Sequence, residues 1–307
     1  MPAELTLGWI GAGRMGSAMA ARLLTAGLDV AVHNRTRAKA EPLAALGARL
    51  VDGPADLAGR DIVFTNLSSS DVFVDMVCGA NGLLSRKGPS PRLLVDFSTI
   101  STEASALARK ALAQRGAAML DAPVSGNAKV VEAGKLSIVA SGERAAFDLA
   151  LPYLRLMARA ATYVGEGEAA RIVKICHNVF LGVVAQSLAE VTVLAEKGGV
   201  PRHAFLDFIN NSVMGSMFTR YKAPAYVNLD FRPTFTPVLL RKDLDLGLAA
   251  AREMEVPLPL AAQVREILQS MIGQGYRDCD FAALLEVEAK AAGMTLAPEA
   301  VDVDTGL

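Results

Sequence analysis

The chain has 307 residues, 52% of them hydrophobic, and a formal net charge of −1, long enough for two domains with substantial cores. A charge balance this close to neutral, with a pI near 6.3, leaves no electrostatic footprint for nucleic acid or an anionic membrane. The cysteines Cys78, Cys176 and Cys279 are scattered, with neither a CxxC pair nor Cys/His metal spacing, which excludes a disulfide framework and reads as reduced residues of a cytosolic protein.

Leu7-Gly8-Trp9-Ile10 reads as a strand that runs directly into Gly11-Ala12-Gly13-Arg14-Met15-Gly16 and a helical pattern. In that context GxGxxG is a phosphate turn. Gly11 permits the tight turn, Gly13 lets a pyrophosphate approach the backbone, and Gly16 lets the helix pack on the sheet. The helix N-terminus adds N–H donors and a partial positive charge. A second strand, 28–33, ends at Asn34-Arg35-Thr36, where an acid would hold an adenosine ribose. An amide, an Arg and a hydroxyl there suit a 2′-phosphate, so NADP(H) is the expected cofactor and NAD(H) the second choice.

A Lys/Arg/Ala helix is expected to end at Gly47. Apolar runs at 62–67, 93–96, 118–121, 136–139 and 162–164 then alternate with helical patterns through Met76 and Leu112, the mark of a parallel sheet covered on both faces. The texture changes at Gly165-Glu166-Gly167. From Ala169 to Lys197 apolar positions recur at helical spacing without a break, and the pattern stays helical to about Ala292. The fold class is therefore α/β: an N-terminal Rossmann doubly wound sheet (1–164), a long connecting helix, and an all-α C-terminal domain (165–296), with a flexible tail at 297–307. The longest uninterrupted apolar run, 179–185, is far too short to span a bilayer, and no basic-then-apolar leader opens the chain. The expectation is a soluble cytoplasmic protein that binds neither nucleic acid nor membrane.

No two of the three histidines stand at ligand spacing, so no metal site is expected. His33, ending the second strand, reads as packing or as the edge of the cofactor site, and His203 as a surface residue. Two segments ask for more. Asp121-Ala122-Pro123-Val124-Ser125-Gly126-Asn127 puts a hydroxyl and a permissive glycine at the carboxyl end of a strand, the edge where open α/β sheets bind ligands. In Lys174-Ile175-Cys176-His177-Asn178, positions 174, 177 and 178 share one helix face, so an ammonium, an imidazole and an amide project together from an otherwise apolar helix.

With these motifs in order, the chain resembles the β-hydroxyacid dehydrogenase family, which includes 3-hydroxyisobutyrate dehydrogenase, tartronate semialdehyde reductase and, more distantly, 6-phosphogluconate dehydrogenase. Four segments carry the resemblance: 8–16, 121–126, 165–178 and Lys242-Asp243-Leu244. It implies that Ser125 and Gly126 bind the substrate carboxylate, that Lys174 is the catalytic lysine and that Asn178 orients the substrate. It further implies that Lys242 approaches cofactor or substrate and that Leu67, Ser68 and Thr99 line the cofactor.

Two departures stand out. Asn127 replaces a second glycine, so this loop should narrow or re-aim the pocket. His177 replaces a common Asn, as in the 6-phosphogluconate branch, whose larger helical domain this chain is too short to hold. The expected activity is an NADP-preferring interconversion of a small β-hydroxy carboxylate and its semialdehyde or keto form, with His177, Asn127 and Lys242 near the substrate. Rival readings are an imine reductase, which typically lacks a lysine at 174, and a non-catalytic NADP(H) sensor. The apolar residues of 169–197 (Val179, Leu181, Val183, Val184, Leu188, Val191, Val193, Leu194) exceed what one small domain covers, and together with the resemblance they imply a homodimer or homotetramer.

Overall fold

The computed structural model describes residues 5–306. It divides into two compact units whose boundary in sequence falls at Lys174/Ile175, inside the long helix rather than in the 165–167 loop where the texture of the sequence changes.

In the N-terminal unit, β1 (Leu7–Ile10), β2 (Val30–His33), β3 (Arg49–Leu50), β4 (Ile62–Thr65), β5 (Leu93–Asp96) and β6 (Ala118–Asp121) form a six-stranded sheet in the order β3-β2-β1-β4-β5-β6, parallel throughout. Alternate side chains sort into two cores. Leu7, Trp9, Val32, Phe64 and Val95 pack with α1 (Arg14–Thr25) and α6 (Arg144–Met157), while Ile10, Ala31, Val63 and Leu94 pack with α3 (Ser70–Cys78) and α4 (Thr102–Ala113). Burial of both faces is why these strands read as continuous apolar runs. On the first face Trp9, Phe64 and Phe97 stack with ring centroids 5.6–5.9 Å apart, joining β1, β4 and the end of β5.

Two details differ from the sequence expectation. The segment expected as one helix to Gly47 is a 3-10 turn, Arg37–Lys39, followed by the short α2 (Glu41–Ala44). Pro42 has no N–H to donate and so starts a new helix instead of continuing one. The runs near 136–139 and 162–164 do not extend the parallel sheet. β7 (Val124–Ser125), β8 (Ser137–Ala140) and β9 (Ala160–Tyr163) make a separate three-stranded sheet, with β7 antiparallel to β8 and β8 parallel to β9. A single bridge, Asp121 to Ser141, links the end of β6 to the residue after β8.

Helix α7 runs Ala169–Lys197, as the periodicity predicts. The C-terminal unit adds α8 (Arg202–Asn211), α9 (Met217–Asn228), α10 (Pro237–Glu253), α11 (Pro259–Gly273) and α12 (Leu284–Ala291). Their apolar stripes meet around Leu188, Leu206, Tyr226, Leu244, Leu268 and Phe281, and no strand follows β9 among the described residues. Averaged over an 18-residue window, α7 reaches a mean hydropathy of 1.6, enough by length and composition to cross a bilayer. The uninterrupted run 179–185 understates this because Gln186, Ser187, Glu190 and Thr192 break the run without lowering the average much.

The tail also differs from expectation at its start. Arg202 is wholly buried and donates to the carbonyl oxygens of Tyr226, Val227 and Ala297. The Glu299 carboxylate accepts from the backbone N–H groups of Arg202 and His203 at 2.7 and 2.9 Å, and Asn228 donates to the Val301 carbonyl at 2.8 Å. Residues 297–301 are therefore fastened rather than frayed, because a buried guanidinium and exposed helix-start N–H groups need the acceptors this segment supplies.

Candidate active site

The glycine turn is set by two close approaches. Gly11 has φ +104°, a conformation side chains rarely adopt, and a Cβ there would lie 2.3 Å from the Asn66 carbonyl oxygen. A Cβ on Gly16 would lie 2.0 Å from the Gly11 carbonyl oxygen. Gly13 differs: it caps α1, and no atom lies within 4 Å of where its Cβ would stand. Its bareness leaves open space in front of the helix N-terminus, whose N–H groups and dipole favour an anion. Ala12 is buried, Met15 half-buried and Arg14 exposed. The strand order reverses between β1 and β4, the switch point at which open α/β sheets take ligands. These residues fit a dinucleotide pyrophosphate.

Asn34 fastens the loops of this edge to each other. Its Oδ1 accepts from the Ala12 N–H at 2.8 Å, and its Nδ2 donates to the Thr36 carbonyl at 2.7 Å. Arg35 and Thr36 are exposed beside it. Arg37 pairs with Asp52 at 3.1 Å, whereas among the described residues no carboxylate pairs with Arg35. After β4 the Leu67 N–H donates to the Ser98 hydroxyl at 2.8 Å; Ser68 is exposed and Thr99 half-buried on the loops after β4 and β5. The predicted cofactor residues of the N-terminal unit thus lie along one carboxyl edge of the sheet. His33 is buried at that edge, its Nδ1 3.5 Å from the Val51 carbonyl oxygen, and burial pushes its imidazole below the usual range.

Ser125 ends β7 opposite Ser137, and Gly126 is exposed at φ +138°. Asn127 is the N-cap of α5 (Ala128–Glu132), its Oδ1 accepting from the Val130 N–H at 3.1 Å. Its side chain therefore shapes this loop by capping.

Lys174 is half-buried at the end of the N-terminal unit, and Asn178 follows one turn later on α7. Within the C-terminal unit, α7 and α10 approach closely, since a Cβ on Gly247 would lie 2.2 Å from Val179 Cγ2. That closeness lets the buried Asn178 amide donate to Asp243 Oδ2 at 2.5 Å. A carboxylate only accepts, so it takes the NH2 end of the amide and leaves Asn178 Oδ1 toward His177 Nδ1, 2.9 Å away. Asp243 Oδ1 pairs with Lys242 Nζ at 3.0 Å. The structure thus joins the predicted His177, Asn178 and Lys242 through Asp243, to which sequence reasoning assigned no role although it sits inside the Lys242-Asp243-Leu244 motif.

Sequence reasoning also missed a cluster of charges in the N-terminal unit. Thr65, Asp96 and Asp121 end β4, β5 and β6 in register. Arg171, on the first turn of α7 and only 5% exposed, pairs with Asp121, with Asp96 at 3.3 Å and with Glu168 at 2.8 Å. Arg109 of α4 pairs with Asp121 and with Glu168 at 3.2 Å, and Thr65 donates to Asp96 at 2.7 Å. Burial pushes the Asp121 carboxyl up to about 6 against the pull of both guanidinium groups, and burial likewise raises Asp96. The available signals were two strands ending in Asp and an Arg three residues before Lys174, on its face.

A doubly wound sheet with a glycine turn at its switch point, followed by a helical unit, defines a nicotinamide-dinucleotide oxidoreductase. Residues 6–165 match the NAD binding domain of 6-phosphogluconate dehydrogenase, and residues 167–287 match the family described as NAD-binding of NADP-dependent 3-hydroxyisobutyrate dehydrogenase. The chain belongs to the β-hydroxyacid dehydrogenase family, in its 3-hydroxyisobutyrate dehydrogenase-like branch, and is an NAD(P)-dependent dehydrogenase or reductase acting on a CH–OH group of a small molecule. It is 31% identical to chloroplastic glyoxylate/succinic semialdehyde reductase 2 of Arabidopsis thaliana, over 92% of this chain and 79% of that protein. It is also 31% identical to 2-(hydroxymethyl)glutarate dehydrogenase of Eubacterium barkeri, over 96% and 99%. The crystal structure of a 3-hydroxyisobutyrate dehydrogenase from Salmonella typhimurium superimposes with a TM-score of 0.81 at 27% identity, covering 92% of this chain and 99% of that one.

Proposed function

We propose that the chain is an NADP-preferring oxidoreductase that interconverts a small β-hydroxy carboxylate and its semialdehyde or keto form, with Lys174 as the acid/base. The observation that carries this reading is Lys174, a half-buried residue one helical turn before an Asn178 whose amide is locked by Asp243. NADP(H), when bound, would supply the hydride acceptor for oxidation and the hydride donor for reduction. Ser125 and Gly126 hold the substrate carboxylate through a hydroxyl and backbone N–H. Neutral Lys174 Nζ accepts the hydroxyl proton in oxidation, and its ammonium returns a proton to the carbonyl oxygen in reduction. Asn178 orients that oxygen without titrating. A lysine does this near neutrality only where its surroundings disfavour the charged form.

Preference for NADP is supported by the exposed Arg35 at the end of β2 and by the absence of an acid at 34–36. The NADP-dependent description of the matched C-terminal family points the same way. Of the apolar α7 residues that raised the expectation of an oligomer, Leu188 and Val193 are buried in the core of the C-terminal unit itself, and Val179, Leu181 and Val183 pack against it. Exposed Phe180, Val191, Leu194 and Phe208 still support a homodimer or homotetramer, and the free cysteines Cys78, Cys176 and Cys279 are in keeping with the cytoplasm as its place. Light scattering at micromolar concentration tests the assembly, and a monomer refutes it.

The test of function is absorbance at 340 nm with NADPH or NADP⁺ and a panel containing glyoxylate, succinic semialdehyde, 2-(hydroxymethyl)glutarate and 3-hydroxyisobutyrate. Lys174→Ala should lower kcat about 10²–10⁴-fold with NADPH binding nearly intact. Lys174→Arg should do little better, because guanidinium does not release its proton. A folded Lys174→Ala retaining more than about a tenth of parental kcat removes Lys174 from the mechanism.

A further inference from the structure

We propose that Arg171 is a positioning residue for Lys174: it fixes the first turn of α7 to the carboxyl edge of the parallel sheet and so sets where the Lys174 amine stands. The inference rests on Lys174 being the acid/base.

The geometry is that of an anchor. Arg171 sits three residues before Lys174, on the same helix face. One planar guanidinium reaches acceptors on two strand ends and on the residue before α7: Asp96 at 3.3 Å, Asp121, and Glu168 at 2.8 Å through Nε. It also reaches the Ser98 carbonyl oxygen at 3.4 Å. Ser141 adds a second tie to the same turn. Its hydroxyl donates to the Gly167 carbonyl at 2.8 Å and accepts from the Ala170 N–H at 2.9 Å, while its backbone exchanges two hydrogen bonds of 2.9 Å with Asp121. Asp121 is therefore held by the sheet and in turn holds the helix. Arg109 and Ser105 of α4 close the far side, reaching Asp121 and Glu168.

Two features separate this from ordinary packing. A helix start docked by apolar contacts tolerates sliding by fractions of an ångström, whereas one planar guanidinium tied to four acceptors in different directions does not. The cluster also sets three carboxylates (Asp96, Asp121, Glu168) against two guanidinium groups (Arg109, Arg171). Such an arrangement is expensive to bury for stability alone.

Arg171→Lys is the direct test, since an ammonium keeps the charge but cannot span the acceptors that the fork spans. With the fastest substrate of the panel, kcat should fall about 10–100-fold, the usual effect of misplacing a reacting group by about an ångström, while KM for NADPH changes less than about twofold. A folded Arg171→Lys with kcat within about twofold of the parent overturns the proposal. The double variant Arg171→Met/Asp121→Asn removes one charge of each sign. Low kcat in a folded double variant supports positioning, whereas recovery to the parental rate reduces Arg171 to charge balance and overturns it. Should neither variant fold, amide hydrogen exchange on the parent decides: protection at 172–174 matching that of β5 supports the anchor, and exchange at loop rates overturns it. If Lys174→Ala leaves kcat unchanged, or no panel member turns over, the acid/base reading fails and this inference with it. If Lys174→Ala is impaired and Arg171→Lys is not, only this inference fails.

Discussion

Asp121 gives a stability prediction with a definite sign. Its carboxyl is wholly buried, and its folded pKa is raised from 3.8 to about 6 by burial, against the opposing pull of Arg171 and Arg109. Between those two values the folded chain holds a proton that the unfolded chain has released, so stability falls as pH rises through the window and levels off above it. A shift of about two units corresponds to about 3 kcal/mol across the whole window. Between pH 5 and pH 7 the same two pKa values give a loss of about 1.3 kcal/mol. Asp121→Asn cannot titrate and should lack this component, while the contribution of the raised Asp96 remains in both proteins. The assay is urea unfolding of parent and variant at pH 5, 6 and 7, followed by circular dichroism, with the pH slopes subtracted. For a unit of about 170 residues the difference corresponds to about 3–5 °C in Tm. A variant whose stability falls between pH 5 and 7 as steeply as the parent's would show that Asp121 carries no proton in this range.

Three further outcomes are expected. Arg35→Ala should raise KM for NADPH much more than KM for NADH, measured by steady-state kinetics with both cofactors; equal effects, or a parent that uses NAD⁺ as well as NADP⁺, contradict the cofactor assignment. Gly16→Ala puts a Cβ at 2.0 Å from the Gly11 carbonyl oxygen, so the glycine turn must shift, and NADPH affinity measured by fluorescence titration should drop at least about tenfold; unchanged affinity contradicts the close approach. Arg202→Met strands Glu196 and several carbonyl groups that the buried guanidinium now satisfies and should cost about 3–5 kcal/mol of stability, with faster proteolysis at 297–301. Parental stability in urea would sink that account.

The periodicities and the glycine turn are local properties, and they were legible without the fold. Alternating apolar runs, a helical stripe from 169 to 197 and a GxGxxG after a strand each encode a conformation in neighbouring residues, so the Rossmann unit, α7 and the cofactor edge follow from the chain alone. What local pattern could not resolve is which strands pair: β8 and β9 fall on apolar runs like those of β4–β6 yet lie in a separate sheet, because pairing is set by contacts between residues far apart in sequence. The charged residues show the same division. Lys174 and Asn178 stand out because they interrupt an apolar helix, but Arg171, Asp96 and Asp121 look like ordinary surface charges until the sheet edge buries them together. Likewise Asp243 reaches Asn178 across 65 positions only because Gly247 lets α10 press against α7. A charge gains meaning from its burial and its partners, and those belong to the tertiary structure.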